Sequence, residues 1–174
     1  MNVMILGGTG LLGYHATRRL LERGHVVKIL ALPPLPAEGL FPVDVDIQLR
    51  DINLLSDAEL VTLFEGNDAL VFAAGVDDRV TPRSPAYSFF YKHNVEVTRR
   101  VAQLARQAGV KKFVILGSYF AYFHRVWPQL ELTRHHPYIR SRVEQTRAAL
   151  EAGGDAMGVI TLELPYIFGV MPGR

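Results

Sequence analysis

The 174-residue chain contains no cysteine, which removes disulfide staples, thiolate metal sites and thiol nucleophiles together. Long apolar runs are missing too. Val3-Met4-Ile5-Leu6 and Phe113-Val114-Ile115-Leu116 are short, far below the roughly 20 residues of a bilayer-crossing helix, so no membrane partner is expected. The amino end enters an apolar strand directly, without a basic stretch or a small-residue cleavage site. That argues against a secretory signal and, with the missing cysteine, fits a cytoplasmic protein. Charge of one sign is not in excess: 19 Lys and Arg against 17 Asp and Glu leave a net +2. The arginines fall in small groups at helical spacing, such as Arg18, Arg19 and Arg23 or Arg140, Arg142 and Arg147. No recognition motif accompanies them, so they read as solvated helix faces and not as a nucleic-acid surface. The slight positive balance suits an anionic cofactor or substrate.

What the chain has is apolar substance in alternating patterns. With 49% apolar and 21% charged residues it has the composition of a globular domain. Apolar runs at 2–6, 25–31, 45–50, 69–74, 112–117 and 157–163 predict six strands. Between them, helices are predicted over Leu11 to Arg23, closed by Gly24; from Ser56-Asp57-Ala58-Glu59, which has capping-box spacing; over Tyr87 to Ala108, ended by Gly109; and over 138–152, ended by Gly153-Gly154. Leu32-Pro33-Pro34-Leu35-Pro36 continues neither kind of element and is read as an exposed connection. Strands alternating with helices imply an α/β fold, a Rossmann-type doubly wound parallel sheet with helices on both faces. Ligands of such sheets bind outside the carboxyl ends of the strands.

Gly7-Gly8-Thr9-Gly10-Leu11-Leu12-Gly13 lies between the first strand and the first helix. Gly7 permits the tight turn, Gly10 lets backbone approach a pyrophosphate, and Gly13 allows the helix to pack closely on the strand. The free N–H groups of the helix start, with the helix dipole, then favour a phosphate. The strand–turn–helix context is what gives the glycines this meaning.

Two residues, not one, separate the first two glycines of the motif. In that spacing the chain resembles the extended short-chain dehydrogenases, a family of sugar-nucleotide epimerases, dehydratases and related reductases. The resemblance runs along nearly the whole chain. It implies that Asp51-Ile52 contacts adenine, that Ala73, Ala74 and Gly75 in Phe72-Ala73-Ala74-Gly75 pass beside the cofactor, and that Asn94 is the family's helix asparagine. Pro165, Tyr166 and Ile167 in Leu164-Pro165-Tyr166-Ile167-Phe168-Gly169 resemble the loop beside the nicotinamide. The implied cofactor is NAD or NADP, held by Gly7, Thr9, Gly10, Leu11, Leu12 and Gly13 together with those segments. The second strand ends Leu30-Ala31-Leu32-Pro33, with neither the acid that bonds ribose hydroxyls nor an arginine, so the choice between the two dinucleotides stays open at this stage.

Hydride transfer at a carbon bearing oxygen needs a partner for the oxygen's proton, and a tyrosine beside a cation can serve. Tyr138 and Arg142 stand four apart on the last predicted helix, on one face. The family pattern has lysine where this chain has Arg142. Arginine keeps the charge but is planar and not a practical proton donor, which questions the relay to solvent and not the binding of cofactor. Ser118, after the fifth strand, stands where the family places a serine or threonine that bonds the substrate oxygen; a helix cap is the alternative for it. His135 and His136, adjacent and without a nearby acid, are poor ligands for one ion, so no metal is expected. The sequence therefore reads as an NAD(P)-dependent oxidoreductase or epimerase acting on a small-molecule carbonyl or alcohol, a nucleotide sugar among the candidates. A non-catalytic dinucleotide-binding regulator and a reductase of aromatic carbonyls are the alternatives. Residues 1–174 are read as the cofactor-binding domain, with the family's smaller carboxy-terminal substrate region absent. Val95, Thr98 and Ala102 offer a second apolar edge on the long helix for pairing with another subunit.

Overall fold

The computed structural model describes residues 1–173. Six strands, β1 (Asn2–Leu6), β2 (Val26–Ala31), β3 (Asp46–Leu49), β4 (Ala69–Phe72), β5 (Lys112–Leu116) and β6 (Gly158–Leu162), form one sheet in the order β3-β2-β1-β4-β5-β6. All five pairings are parallel. This is the expected doubly wound sheet. The chain winds outward from β1 to β3, returns to β4, and winds outward again. The reversal leaves a crevice between the ends of β1 and β4, where Leu6 pairs with Phe72.

Alternation along each strand divides the core in two. Met4, Leu6, Leu70, Phe72, Phe113 and Ile115 pack on one side, beneath α2 (Asp57–Phe64), α4 (Val97–Gln107) and α7 (Pro137–Gly153). Val3, Ile5, Val27, Ile29 and Val71 pack on the other, beneath α1 (Leu11–Glu22). Over β6 this second side carries Ile160 at 51% and Leu162 at 44% exposure. Among the described residues, no helix is long and apolar enough to cross a membrane.

The predicted capping box of α2 is present: the Ser56 hydroxyl accepts from the Glu59 N–H while the Glu59 carboxylate accepts from the Ser56 N–H at 2.9 Å. Leu12, Ala16 and Leu20, four apart along α1, are not its most buried residues. Gly13, Tyr14 and Thr17 are its buried residues, and Leu12, Ala16 and Leu20 flank them half-buried. At Gly13 the helix lies so near β1 that no side chain fits between them, while Tyr14 is buried in the core beside that contact and Leu11, Ala16, Leu20 and Leu21 pack against the same core.

The helix expected over Tyr87 to Ala108 is interrupted. It consists of α3 (Ala86–Phe90), a π-helical turn at Tyr91–Glu96, and α4. The wide turn carries Asn94 inward, fully buried, where its side chain bonds both backbone groups of Val76 and the Ser141 hydroxyl. An apolar stripe that resumes after the turn conceals such a bulge from periodicity. The edge proposed for subunit pairing is also corrected. Val95, Thr98 and Ala102 are at most 1% exposed, and Thr98 accepts a 2.7 Å hydrogen bond from Gln145 of α7, so this chain covers that edge itself. Between β5 and α7 the structure adds α5 (Tyr119–Val126), a 3-10 turn at Pro128–Leu130 and α6 (Leu132–His135), where the sequence reading placed nothing.

Backbone meets backbone closely at Gly13. A Cβ there would stand 2.2 Å from the Gly7 carbonyl oxygen and 2.6 Å from Gly8 Cα. Both are backbone atoms and cannot swing aside. Gly13→Ala is therefore expected to destabilise the fold by about 1–3 kcal/mol, the usual range for overpacking. Gly10→Ala, whose Cβ meets nothing nearer than 3.4 Å, should leave the melting temperature close to the parent's. Thermal unfolding of the two variants followed by circular dichroism checks this, and an unperturbed melt for Gly13→Ala contradicts it.

Candidate dinucleotide and catalytic cleft

A groove runs along the carboxyl edge of the sheet, in two lobes of about 540 and 550 Å³. Gly10 and residues 73–76 line both lobes, so the lobes meet at the crevice between β1 and β4. The first lobe takes in Gly7, Thr9, Leu32, Pro33, Asp51 and Ile52. The second takes in Leu11, Leu12, Gly13, Ser118, Tyr138, Arg142, Pro165, Tyr166 and Ile167. Of the residues singled out from the sequence, Asn94 alone stands outside both linings; it sits behind the groove wall.

The bend is built as the glycine spacing requires. Gly7 adopts φ +83°, and its N–H is tied to the Leu30 carbonyl at 2.8 Å. A Cβ on it would meet the Ala73 carbonyl at 2.8 Å. α1 starts at Gly10 in extended conformation with no side-chain cap, so its first N–H groups face the groove without an internal partner. That cradle suits an elongated ligand with a central diphosphate. Asp51 accepts from the backbone and side-chain amides of Asn53 at 2.9 and 2.8 Å, which shapes the turn at the far end of the first lobe.

Arg142 is the central group of the second lobe. It is 7% exposed, its Nη2 donates to the Leu116 carbonyl at the end of β5 at 2.7 Å, and its guanidinium carbon lies 5.9 Å from the centre of the Tyr138 ring. Burial pushes its pKa down from the ordinary value, opposed by the charges of Tyr138 and Asp77; an arginine stays cationic through such a shift. Its Nε is buried without a partner. The other contacts are structural. Asn94 holds Val76 while Ser141 links it to the Tyr138 carbonyl at 2.7 Å, so the π turn, the strap after β4 and the start of α7 are locked together. Gly75, at φ +129°, lets that strap pass, since a Cβ there would be 2.9 Å from Asn94 Oδ1.

Ser118 has the cap role considered for it and also lies at the second lobe. It caps α5, accepting from the Phe120 N–H at 3.4 Å, and it lines the second lobe. Beyond it stands a wall of rings that the sequence reading missed: Tyr119 stacks on Phe120 at 4.4 Å and lies 5.2 Å from Tyr166, and Phe120 meets Tyr138 edge-on at 6.4 Å. The Tyr119 phenol is pushed up to about 12, first by burial and then by the Tyr166 hydroxyl, and so remains protonated. Asp77 and Arg79 form an ion pair at the mouth; the arginine holds the carboxyl below its usual range. The cluster Phe120, Tyr119 and Phe123 was visible as an aromatic run, but without a predicted helix nothing placed it beside the cleft.

Comparison with known proteins agrees with this geometry. Sterol-4-alpha-carboxylate 3-dehydrogenase, decarboxylating, of Mus musculus is 27% identical over 95% of the chain, and the chain spans 45% of that protein's length. UDP-glucose 4-epimerase of Klebsiella pneumoniae is 27% identical over 70% of the chain, which spans 92% of the matched protein. Among solved structures, MoeE5 in complex with UDP-glucuronic acid and NAD superposes with a TM-score of 0.70 at 20% identity, covering 92% of this chain and 52% of that one. UDP-glucuronic acid 4-epimerase from Bacillus cereus in complex with NAD superposes with a TM-score of 0.72 at 13% identity over 100% of this chain and 60% of its own; these likenesses concern the fold. Residues 3–173 match the NAD dependent epimerase/dehydratase family, and the chain, with a glycine cradle at the strand crossover and a tyrosine–cation pair across from it, belongs to that family of NAD-dependent enzymes.

Proposed function

We propose that the groove holds NAD or NADP in extended form and that the second lobe carries out oxidoreduction at a carbon bearing a hydroxyl or carbonyl group. The observation that carries this reading is the convergence of Ser118, Tyr138 and Arg142 on the lobe that adjoins the amino end of α1. The diphosphate would lie against the free amides of α1, the adenosine in the first lobe against Asp51 and Ile52, and the nicotinamide towards Pro165, Tyr166 and Ile167. When bound, the dinucleotide supplies a hydride acceptor or donor. The chain's own residues do the rest. Ser118 orients the substrate oxygen. Tyr138 takes the hydroxyl proton as the alcohol is oxidised and returns it in the reverse direction. Arg142 stabilises negative charge as it develops on the Tyr138 oxygen, and its guanidinium is a donor for a ribose hydroxyl.

The names of two relatives make a nucleotide sugar one candidate substrate. The ring wall of Tyr119, Phe120 and Tyr166 favours a second reading, reduction of an aromatic or polycyclic ketone, because such faces stack on rings. The chain spans less than half of the sterol dehydrogenase's length, and the activity of the whole protein is part of this proposal. The missing cysteines suit a cytoplasmic location.

Tyr138→Phe should leave dinucleotide affinity within about threefold while reducing turnover on the order of a hundredfold or more, the scale of a lost general acid–base. Calorimetric titration and steady-state assay of the protein with its substrate region check the two halves separately; unchanged turnover removes Tyr138 from the chemistry. Arg142→Lys tests the departure from the family pattern. If the protein is a working catalyst adapted to arginine, the lysine variant loses rate, because the contact with Leu116 depends on the reach of the guanidinium. A gain of tenfold or more would indicate decayed catalysis, and silence of both forms with every alcohol and ketone supplied would favour a binding module.

A further inference from the structure

The family name points to NAD, but the adenosine end of this groove has features that suit a phosphate. An unphosphorylated ribose is usually met by a carboxylate after the second strand, which accepts from both hydroxyls and repels a 2′-phosphate. Here β2 is followed by Leu32-Pro33-Pro34, all three in the wall of the first lobe. They offer no acid, and the two prolines offer no N–H. Laterally adjacent is Arg50, whose N–H continues the β2–β3 ladder to the Ala31 carbonyl at 2.9 Å. Arg50 lines the same lobe and, among the described residues, is the one arginine or lysine that does so.

Arg50 is also held in place. Its Nη2 donates to Glu59 at 2.6 Å, and Glu59 is itself fixed by the capping box of α2. The Glu59 carboxyl is held down at about 2, first by the Ser56 N–H, then by the Ser56 hydroxyl and the Arg50 guanidinium, so it is ionised at any working pH. A guanidinium has five N–H donors; this pair uses one, and the others remain for a ligand. A preset planar fork is the group best suited to a phosphate monoester. The charges that oppose it are Glu59, neutralised by the pair and by the amino end of α2, and Asp51, whose Oδ1 is engaged by both Asn53 amides.

We infer that the first lobe contains a 2′-phosphate subsite built on Arg50, and that the chain binds NADP at least as tightly as NAD. The inference rests on the dinucleotide reading above and goes beyond it by assigning the ribose substituent. The intact chain titrated by calorimetry with NAD, NADP, 5′-AMP and adenosine 2′,5′-bisphosphate tests both. The expected result is an NADP dissociation constant equal to or below that of NAD, with the bisphosphate binding better than 5′-AMP. Arg50→Ala should weaken NADP and the bisphosphate on the order of tenfold, as expected for a lost charge-assisted hydrogen bond, with NAD and 5′-AMP changed less than about threefold; Arg50→Lys should recover part of the loss. NADP binding more than tenfold weaker than NAD overturns the subsite while leaving the dinucleotide reading intact. An equal loss for all four ligands in Arg50→Ala also overturns it. No affinity for any of the four in the folded parent overturns the dinucleotide reading and the subsite with it.

Discussion

Everything in this molecule that can hold a ligand depends on how closely α1 is laid against the end of β1. At Gly13 the helix comes within a missing methyl group of the Gly7 carbonyl, which aims its first turn at the crevice between β1 and β4. Moved outward by the thickness of a side chain, the same helix would still cover Ile5 and Ile29, but its free amides would no longer lie beside residues 73–75. Burial of the second core layer and formation of the cradle are therefore one event. The close approach also explains why a glycine, and not one of the helix's leucines, stands at the point of contact.

The opposite wall is fixed by polar groups buried in a place where an unmet one would be expensive. Asn94 satisfies both backbone groups of Val76, Ser141 bridges it to the Tyr138 carbonyl, and Arg142 reaches the last carbonyl of β5. Three segments far apart in the chain are thus held in one relative position, although no hydrophobic contact alone would specify it. The π turn belongs to this network, since a regular helix would rotate Asn94 away from the strap. Its role here is to position the groove wall; the network makes Tyr138 rigid from behind while its ring faces Phe90 and Phe120.

What the sequence made legible follows from which forces act locally. Strands and their order of alternation were readable, because a parallel sheet buried on both faces demands continuous apolar runs, and the six observed strands begin and end within about two residues of those runs. The glycine bend was readable, because glycine is irreplaceable where backbone meets backbone. The capping box of α2 was readable for the same local reason. Residues 119–135 were not: Tyr119-Phe120-Ala121-Tyr122-Phe123 has no clear helical stripe, and its order comes from stacking on Tyr166 and Tyr138, contacts made across the cleft. Arg50 was in plain view before Asp51, but its place came only with the lateral pairing of β2 and β3, which brings its N–H to the Ala31 carbonyl. The inward turn of Asn94 and the burial of Val95, Thr98 and Ala102 under α7 likewise depend on tertiary packing that a single helix's pattern does not contain.

The substitution of arginine for lysine at residue 142 takes on a different aspect in this setting. A lysine ammonium carries its three N–H donors on one nitrogen, so bonds to the strand end and to a ligand would have to radiate from a single point. The guanidinium divides these tasks among its nitrogens: Nη2 is bound to Leu116, Nη1 lies toward Gly75, and Nε remains without a partner. The cation is consequently held by the protein before any ligand arrives, at a fixed distance from Tyr138, and burial makes its field stronger than at a solvated site. What is given up is mobility, the property that lets an ammonium pass a proton outward.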